Sequence, residues 1–301
     1  MVRTLKVVVQ LLPAALLVVT AAAQDVEPEA VVADTVVYPV WEHDLSATLS
    51  GSQAGYKRWT EGGINSLAAT SQVLGTFVRT SDSWLQTYEL RLGIGILKQD
   101  TLAVRKAEDA LRLKGQVSYT GDGKFHSFSP TVAVGLRTQF APGFNYTKNP
   151  FEDGRNPPVK VSDFFSPATF TQSLGMGFHS DFTFSQRLGI AAKETVILIE
   201  RFRPVYGQVP SESVRLQLGI ESHTEVDREV FSNVQVKSTL GLFAAFNQDE
   251  LPDALWENAV LMKVNDWLST NLEVVALYDR DISDAVQIKE VFSVGISIVI
   301  M

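Results

Sequence analysis

The chain has 301 residues, a formal net charge of −8, 10% aromatic side chains and no cysteine. The acidic surplus argues against a nucleic-acid partner, and without thiols the chain has neither a disulfide framework nor a lipid-attachment cysteine. Beyond Val19 no apolar run reaches the ~20 residues a spanning helix needs, so any crossing of a membrane would fall to strands.

The N-terminus has a basic head, Met1-Val2-Arg3-Thr4-Leu5-Lys6, an apolar run from Val7 to Val19 and small residues at Ala21-Ala22-Ala23. Gln10 and Pro13 interrupt the run, so it reads as a secretory signal cleaved after Ala23 rather than an anchor. Loss of Arg3 and Lys6 takes the 26 basic side chains to 24 against 34 acidic ones, a mature charge of −10. The expected organisation is a signal over 1–23, an acidic periplasmic leader over 24–44 containing Pro28 and Pro39, and one domain over 45–301.

From Leu45 the pattern alternates with period two, the signature of half-buried strands. Leu45, Ala47 and Leu49 oppose Ser46, Thr48 and Ser50; a second strand, about Ser66–Arg79, puts Leu67, Ala69, Val73 and Phe77 on one side. The third opposes Trp84, Tyr88, Leu90, Leu92, Ile94 and Ile96 to Thr87, Glu89, Arg91, Gly93 and Gly95. In the fourth, Leu111, Leu113, Val117 and Tyr119 oppose Glu108, Arg112, Lys114 and Gln116. The fifth sets Val132, Val134 and Leu136 against Thr131, Gly135 and Arg137, and the sixth sets Phe170, Leu174 and Met176 against Thr171, Ser173 and Gly175. The seventh, about Phe182–Arg201, reads as one bulged strand or two short ones meeting near Ala192-Lys193. The eighth carries Arg215, Gln217, Glu221 and His223 on its polar side, the ninth Gln235, Lys237 and Thr239, and the eleventh Ser269, Asn271 and Glu273; the tenth, Leu255–Val264, is mixed. The twelfth, Gln287–Met301, has Phe292, Val294, Ile296, Ile298 and Ile300 on one parity and Ser293, Gly295 and Ser297 on the other.

Tight-turn sequences follow the even strands: Thr80–Ser83, Gly121–Lys124, Ser180-Asp181, Val226–Glu229 and Asn265-Asp266. Longer loops follow the odd ones, the longest being Ala141–Pro167. Short turns at one end and long loops at the other, with aromatics at strand ends, is the arrangement of an outer-membrane barrel. The fold expected is an all-β antiparallel transmembrane barrel of about twelve strands, both termini periplasmic, the last strand closing on Leu45–Ser52 because a bare apolar edge would template aggregation.

Several stretches carry a family likeness: Trp59–Ser66, Arg137–Tyr146, Val159–Ala168, Met262–Ser269, and Tyr278–Asp281 with Gln287–Gly295. Together they resemble a bacterial exported family catalogued as domain of unknown function 3078. The resemblance implies an outer-membrane barrel of Gram-negative, mainly Bacteroidota-type bacteria, and no established activity or functional residues. The closing strand also resembles the signal read by the barrel-assembly machinery, through Ser293, Gly295, Ile298 and Ile300, with Met301 where an aromatic terminus is usual. That machinery and outer-membrane lipid are the partners expected, with a small solute or surface partner unspecified and no cofactor.

The inward parity collects Glu89, Arg91, Arg112, Lys114, Arg137, Arg215, Glu221, Lys237 and Glu273. These either line a solute passage or close the lumen as paired charges; Arg112, Lys114 and Arg137 on neighbouring strands make an anion-friendly patch. The loop Ala141–Pro167, with Phe144, Tyr146, Phe151, Phe164 and Phe165, is the candidate constriction or recognition element, or else a loop pinned to the rim by its aromatics. His43, His126, His179 and His223 do not converge on a serine or a carboxylate cluster, so neither a lipid hydrolase nor a metal site is expected. The reading is a narrow passive channel or porin-like small-solute binder, the alternative a closed barrel acting through its long extracellular loop.

Overall fold

A computed structural model describes residues 41–55, 64–121, 123–151, 153–180, 183–247 and 251–300. Of the signal and leader expected over 1–44, residues 1–40 lie outside the described residues, as do the side chains of His126, His179 and Ser297.

Twelve strands form a closed antiparallel barrel: Trp41–Ala54 (β1), Ser66–Ser81 (β2), Trp84–Gln99 (β3), Arg105–Tyr119 (β4), Phe128–Thr138 (β5), Ala168–Ser180 (β8), Phe184–Val196 (β9), Val214–Phe231 (β10), Val234–Ala245 (β11), Asp253–Lys263 (β12), Leu268–Asp279 (β13) and Ser283–Val299 (β14). The remaining two, Gly143–Asn145 (β6) and Val159–Ser162 (β7), pair only with each other inside the long connection from β5 to β8. Each barrel strand pairs with its chain neighbour, and the ring closes where Ser46–Ser50 of β1 meets Gly295–Val299 of β14. Closure leaves no row of unpaired backbone donors, which is the condition for strands to stand in an apolar medium.

Alternation then decides what each face presents. Leu49, Ile94, Val132, Leu174, Ile190, Leu218 and Phe292 all point outward and are each more than half exposed. An apolar surface running around the whole ring is far larger than a water-facing monomer tolerates. Trp41, Trp84, Phe128, Phe231 and Trp267 are exposed toward the short-turn end, and Phe140, Phe246 and Trp256 toward the long-loop end. Two aromatic bands flanking an apolar one match the depth profile of a bilayer.

The structure changes four local expectations. The stretch Phe182–Arg201 holds one strand, β9, paired without interruption through Ala192 and Lys193 on both sides, and it ends in a 3-10 helix over Glu200–Tyr206. The turn expected at Val226–Glu229 is strand instead. β10 continues to Phe231, its last turns paired with Val234–Ser238, and reverses at Ser232-Asn233, where Asn233 takes φ 69°. Asparagine tolerates that left-handed conformation, whereas Val226 and Val230 favour extended backbone. In the longer β10, His223 lies mid-strand. The connection over Gly121–Lys124 is wider than a tight turn, because Gly123–His126 forms a 3-10 helix. Finally, β1 begins at Trp41, four residues ahead of the expected Leu45.

Glycine matters most where two inward strands touch. Gly175 and Gly189 are register partners on β8 and β9, and a Cβ at Gly175 would lie 2.2 Å from the Leu188 carbonyl oxygen. No residue with a side chain fits that approach.

Candidate functional site

Period-two geometry brings all nine inward charges named from the sequence onto the lumen wall: Glu89, Arg91, Arg112, Lys114, Arg137, Arg215, Glu221, Lys237 and Glu273. Their partners come largely from across the barrel. Arg112 of β4 is hydrogen-bonded to Glu257 of β12, six strands away in either direction around the ring. Lys237 of β11 lies 3.6 Å from Glu89 of β3, another diametric contact, and 2.9 Å from Glu225; Lys114 reaches Glu89 at 3.2 Å. Arg91 donates to Glu273 at 2.5 Å, and Lys289 bonds Glu108 and lies 3.7 Å from Glu273, joining β3 and β4 to β13 and β14.

Two further groups extend the network. Arg187 donates to Glu221 and to the Gln116 side-chain oxygen, each at 2.6 Å. Nearer the long-loop end Lys193 binds Asp253 at 2.5 Å and Asp279 at 3.3 Å, while Arg215 binds Asp281 at 2.8 Å. Arg112 and Glu257 are only 16% and 18% exposed, so their attraction acts in a weakly polar setting.

Glu257 and Lys289 were not singled out from the sequence, although parity held the signal. Glu257 shares its side of β12 with Lys263, and Lys289 shares its side of β14 with Ser293 and Gly295. Alternation turns Lys289 into the lumen, against two carboxylates.

The wall between β14 and β3 differs in kind. β1 presents Ser46, Thr48 and Ser50, with Asp44 beyond them opposite Thr76, and β2 presents Thr70, Gln72, Leu74 and Thr76. Leu74 faces inward beside Arg91 and is nonetheless 41% exposed, and Thr76 is exposed as well. Space therefore remains beside Ser46–Ser50 and Thr70–Leu74, where uncharged side chains do not bridge to the far wall.

At the long-loop end, Ala141–Pro167 builds a cap with its own packing. Phe151 lies 6.1 Å from Phe202, which is buried in the 3-10 helix, and the Arg201 guanidinium sits 4.0 Å from the Phe151 ring centre while binding Asp153 at 2.9 Å. Tyr146 packs tilted against Phe144 at 6.3 Å and lies under Arg105 at 4.3 Å. Phe165 contacts Phe164 at 4.7 Å and Phe170, on the outer face of β8, at 6.1 Å. The five named aromatics thus tie the loop to itself and to the rim. The Asn149 amide, with Arg155 and Arg201, holds the Asp153 carboxyl below its ordinary range.

The Tyr206 hydroxyl donates to the Val161 carbonyl at 3.2 Å, and burial pushes its phenol up to about 12. Because the folded value lies above the unfolded one of about 10, the neutral phenol contributes stability that is complete below pH 10 and lost as pH rises through 12. Ultraviolet titration at 295 nm is expected to show one late-ionising tyrosine that Tyr206→Phe removes; loss of a phenol titrating near pH 10 instead would contradict this.

Among the described residues no group of three or more His, Cys, Asp or Glu side chains is placed to hold a metal. His223 approaches Glu225 at 3.9 Å and has no serine in hydrogen-bond contact.

Fold and lumen define a closed twelve-stranded antiparallel barrel with an apolar outside and an ion-paired inside. The family model described as "Protein of unknown function (DUF3078)" matches residues 52–144, the family that the sequence blocks resemble; the blocks from Val159 onward lie beyond the matched stretch. No curated protein matches the chain. Among solved structures, the chain is similar to the COG4313 outer membrane channel from Pseudomonas putida F1, with 13% identity, 89% of this chain and 98% of that one covered and a TM-score of 0.37. It is also similar to the translocator domain of the autotransporter NalP from Neisseria meningitidis (8% identity, 88% and 89% covered, TM-score 0.38) and to the NanC porin (8%, 84% and 97%, 0.34). The likeness is one of strand architecture only.

Proposed function

We propose that the protein is an outer-membrane barrel acting as a narrow passive channel for small solutes, its bore restricted by ion pairs that cross the lumen. The observation that carries this is the unequal lining: charges bridge opposite walls from β3, β4 and β9–β14, while β1 and β2 keep an uncharged strip over Ser46–Ser50 and Thr70–Leu74, with Leu74 exposed. Barrels of about 8 strands fill with side chains and those of 16–18 hold an open aqueous channel, so twelve strands with a bridged lumen suit a small, selective bore.

In this reading the short-turn rim faces the periplasm, with the signal removed after Ala23, and the cap faces outward. Ser293, Gly295, Ile298 and Ile300 present the closing strand to the assembly machinery, outer-membrane lipid covers the apolar band, and no catalytic step is assigned. Purified protein in planar bilayers is expected to give a small ohmic current. Absence of current at every salt and voltage would overturn the channel.

A second reading is favoured by the cap, whose surface carries an open cavity of about 430 Å³ lined by Pro150, Phe151, Asp153, Arg155, Arg201 and Pro204. There the barrel is closed and the cap receives a surface partner. A silent bilayer, with a partner retained by the intact protein and lost on deletion of 145–158, would support it.

A further inference from the structure

We infer that Arg137 is the centre of a lumenal site for a small oxyanion, a carboxylate or phosphate group on a solute. The inference deepens the lumen reading, but it needs only a wet lumen and not ion flow.

Arg91, Arg112 and Arg137 are direct register partners on β3, β4 and β5, so three guanidinium stems stand side by side along one inward row. Like charges directly opposite on neighbouring strands repel. Two of the three are answered: Arg91 by Glu273 and Arg112 by Glu257. Arg137 makes no hydrogen bond or ion pair among the described residues, although its side chain faces the lumen and is exposed there.

The charges that act on it are Arg112 and Arg91 on one side and Glu257 and Asp279 on the other. Both carboxylates are engaged, Glu257 by Arg112 and Asp279 by Lys193 at 3.3 Å. Its register neighbour on β8 is Thr169, a hydroxyl and not a charge. A guanidinium held unpaired beside two that are paired suits a guest that brings its own negative oxygens. Its planar fork matches a carboxylate or phosphate edge with two parallel hydrogen bonds. Lipid headgroups do not reach it, because the side chain faces the lumen.

Equilibrium dialysis of the detergent-solubilised barrel against radiolabelled inorganic phosphate reads this site without any current. The expected result is saturable binding of one phosphate per barrel, displaced by acetate, weakened at least tenfold in Arg137→Gln and partly kept in Arg137→Lys. Asp279→Asn, which removes a competing carboxylate, is expected to tighten it. Each variant is first shown to be folded by its heat-modifiable mobility on gels.

Should Arg137→Gln fail that check, phenylglyoxal labelling of the wild type followed by peptide mass spectrometry takes its place. Arg137 is expected to be the fastest-labelled lumenal arginine and to be protected by phosphate. No saturable binding, binding indifferent to Arg137→Gln, equal displacement by chloride, or labelling of Arg137 that phosphate leaves unchanged would each overturn the site. Phosphate binding by a barrel that passes no current would refute the channel while keeping the site.

Discussion

Replacing both Arg112 and Glu257 by alanine is expected to raise single-channel conductance several-fold while leaving the barrel about as stable as the wild type. The pair joins diametrically opposed strands, so removing it deletes a bridge that spans the full bore. Stability should survive because a buried ion pair gains little net energy over its replacement once both desolvation penalties are counted. The single variants test the same physics from the other side. Glu257→Ala leaves Arg112 beside Arg91 and Arg137 with nothing to answer it, and breaking one partner of a buried pair costs about 3–5 kcal/mol. The single variant is therefore expected to unfold at markedly lower denaturant than the double, and its current to favour anions more strongly. An unchanged conductance in the double variant would place the constriction elsewhere, with the cap as the next candidate.

The second large effect is expected at the seam. Gly295→Leu should prevent closure, so that no heat-resistant folded band forms on gels. β1 meets β14 over only the stretch Ser46–Ser50, against Trp41–Ala54 for its pairing with β2. Gly295 sits opposite Ser50 at the end of that short ladder, and a Cβ there would fall 2.9 Å from both the Leu49 carbonyl oxygen and the Ser50 Cβ. Overpacking in a well-filled site costs about 1–3 kcal/mol when neighbours can shift, but here the nearest atoms are a backbone oxygen and a Cβ fixed to the backbone. A shift therefore opens the ladder itself and exposes unpaired donors on two strands at once. Gly295→Ala, with the Cβ alone, should fold in reduced yield. Wild-type yield of folded Gly295→Leu would show that closure does not depend on this approach.

These two sites differ in how far they could be read from the sequence. Gly295 was legible, because alternation puts it inward on the last strand and closure requires that strand to find the first. The seam appeared where it was expected, with Ile296 and Ile298 outward and Gly295 inward. The Arg112 bridge was legible by half: parity aimed Arg112 inward, but nothing local named its partner, and Glu257 lay in the strand with the most mixed pattern. The β10 turn was misplaced for a related reason. Val226–Glu229 is polar enough to suggest a turn, yet its alternate residues Asp227 and Glu229 pair with Lys237 and Gln235 across a longer hairpin. The cap was legible only as long and aromatic, since β6 and β7 are too short to leave a periodic signal.

The sequence by itself determined the strands, their two faces and the ring they close into, because side-chain direction in a strand repeats every second residue and needs no distant information. Which charges meet was decided only by the tertiary structure. Arg91 and Glu273 are 182 residues apart and Arg112 and Glu257 are 145 apart, and only the stagger of a closed barrel brings such pairs to one level. The same closure leaves Arg137 without a partner beside two arginines that have one.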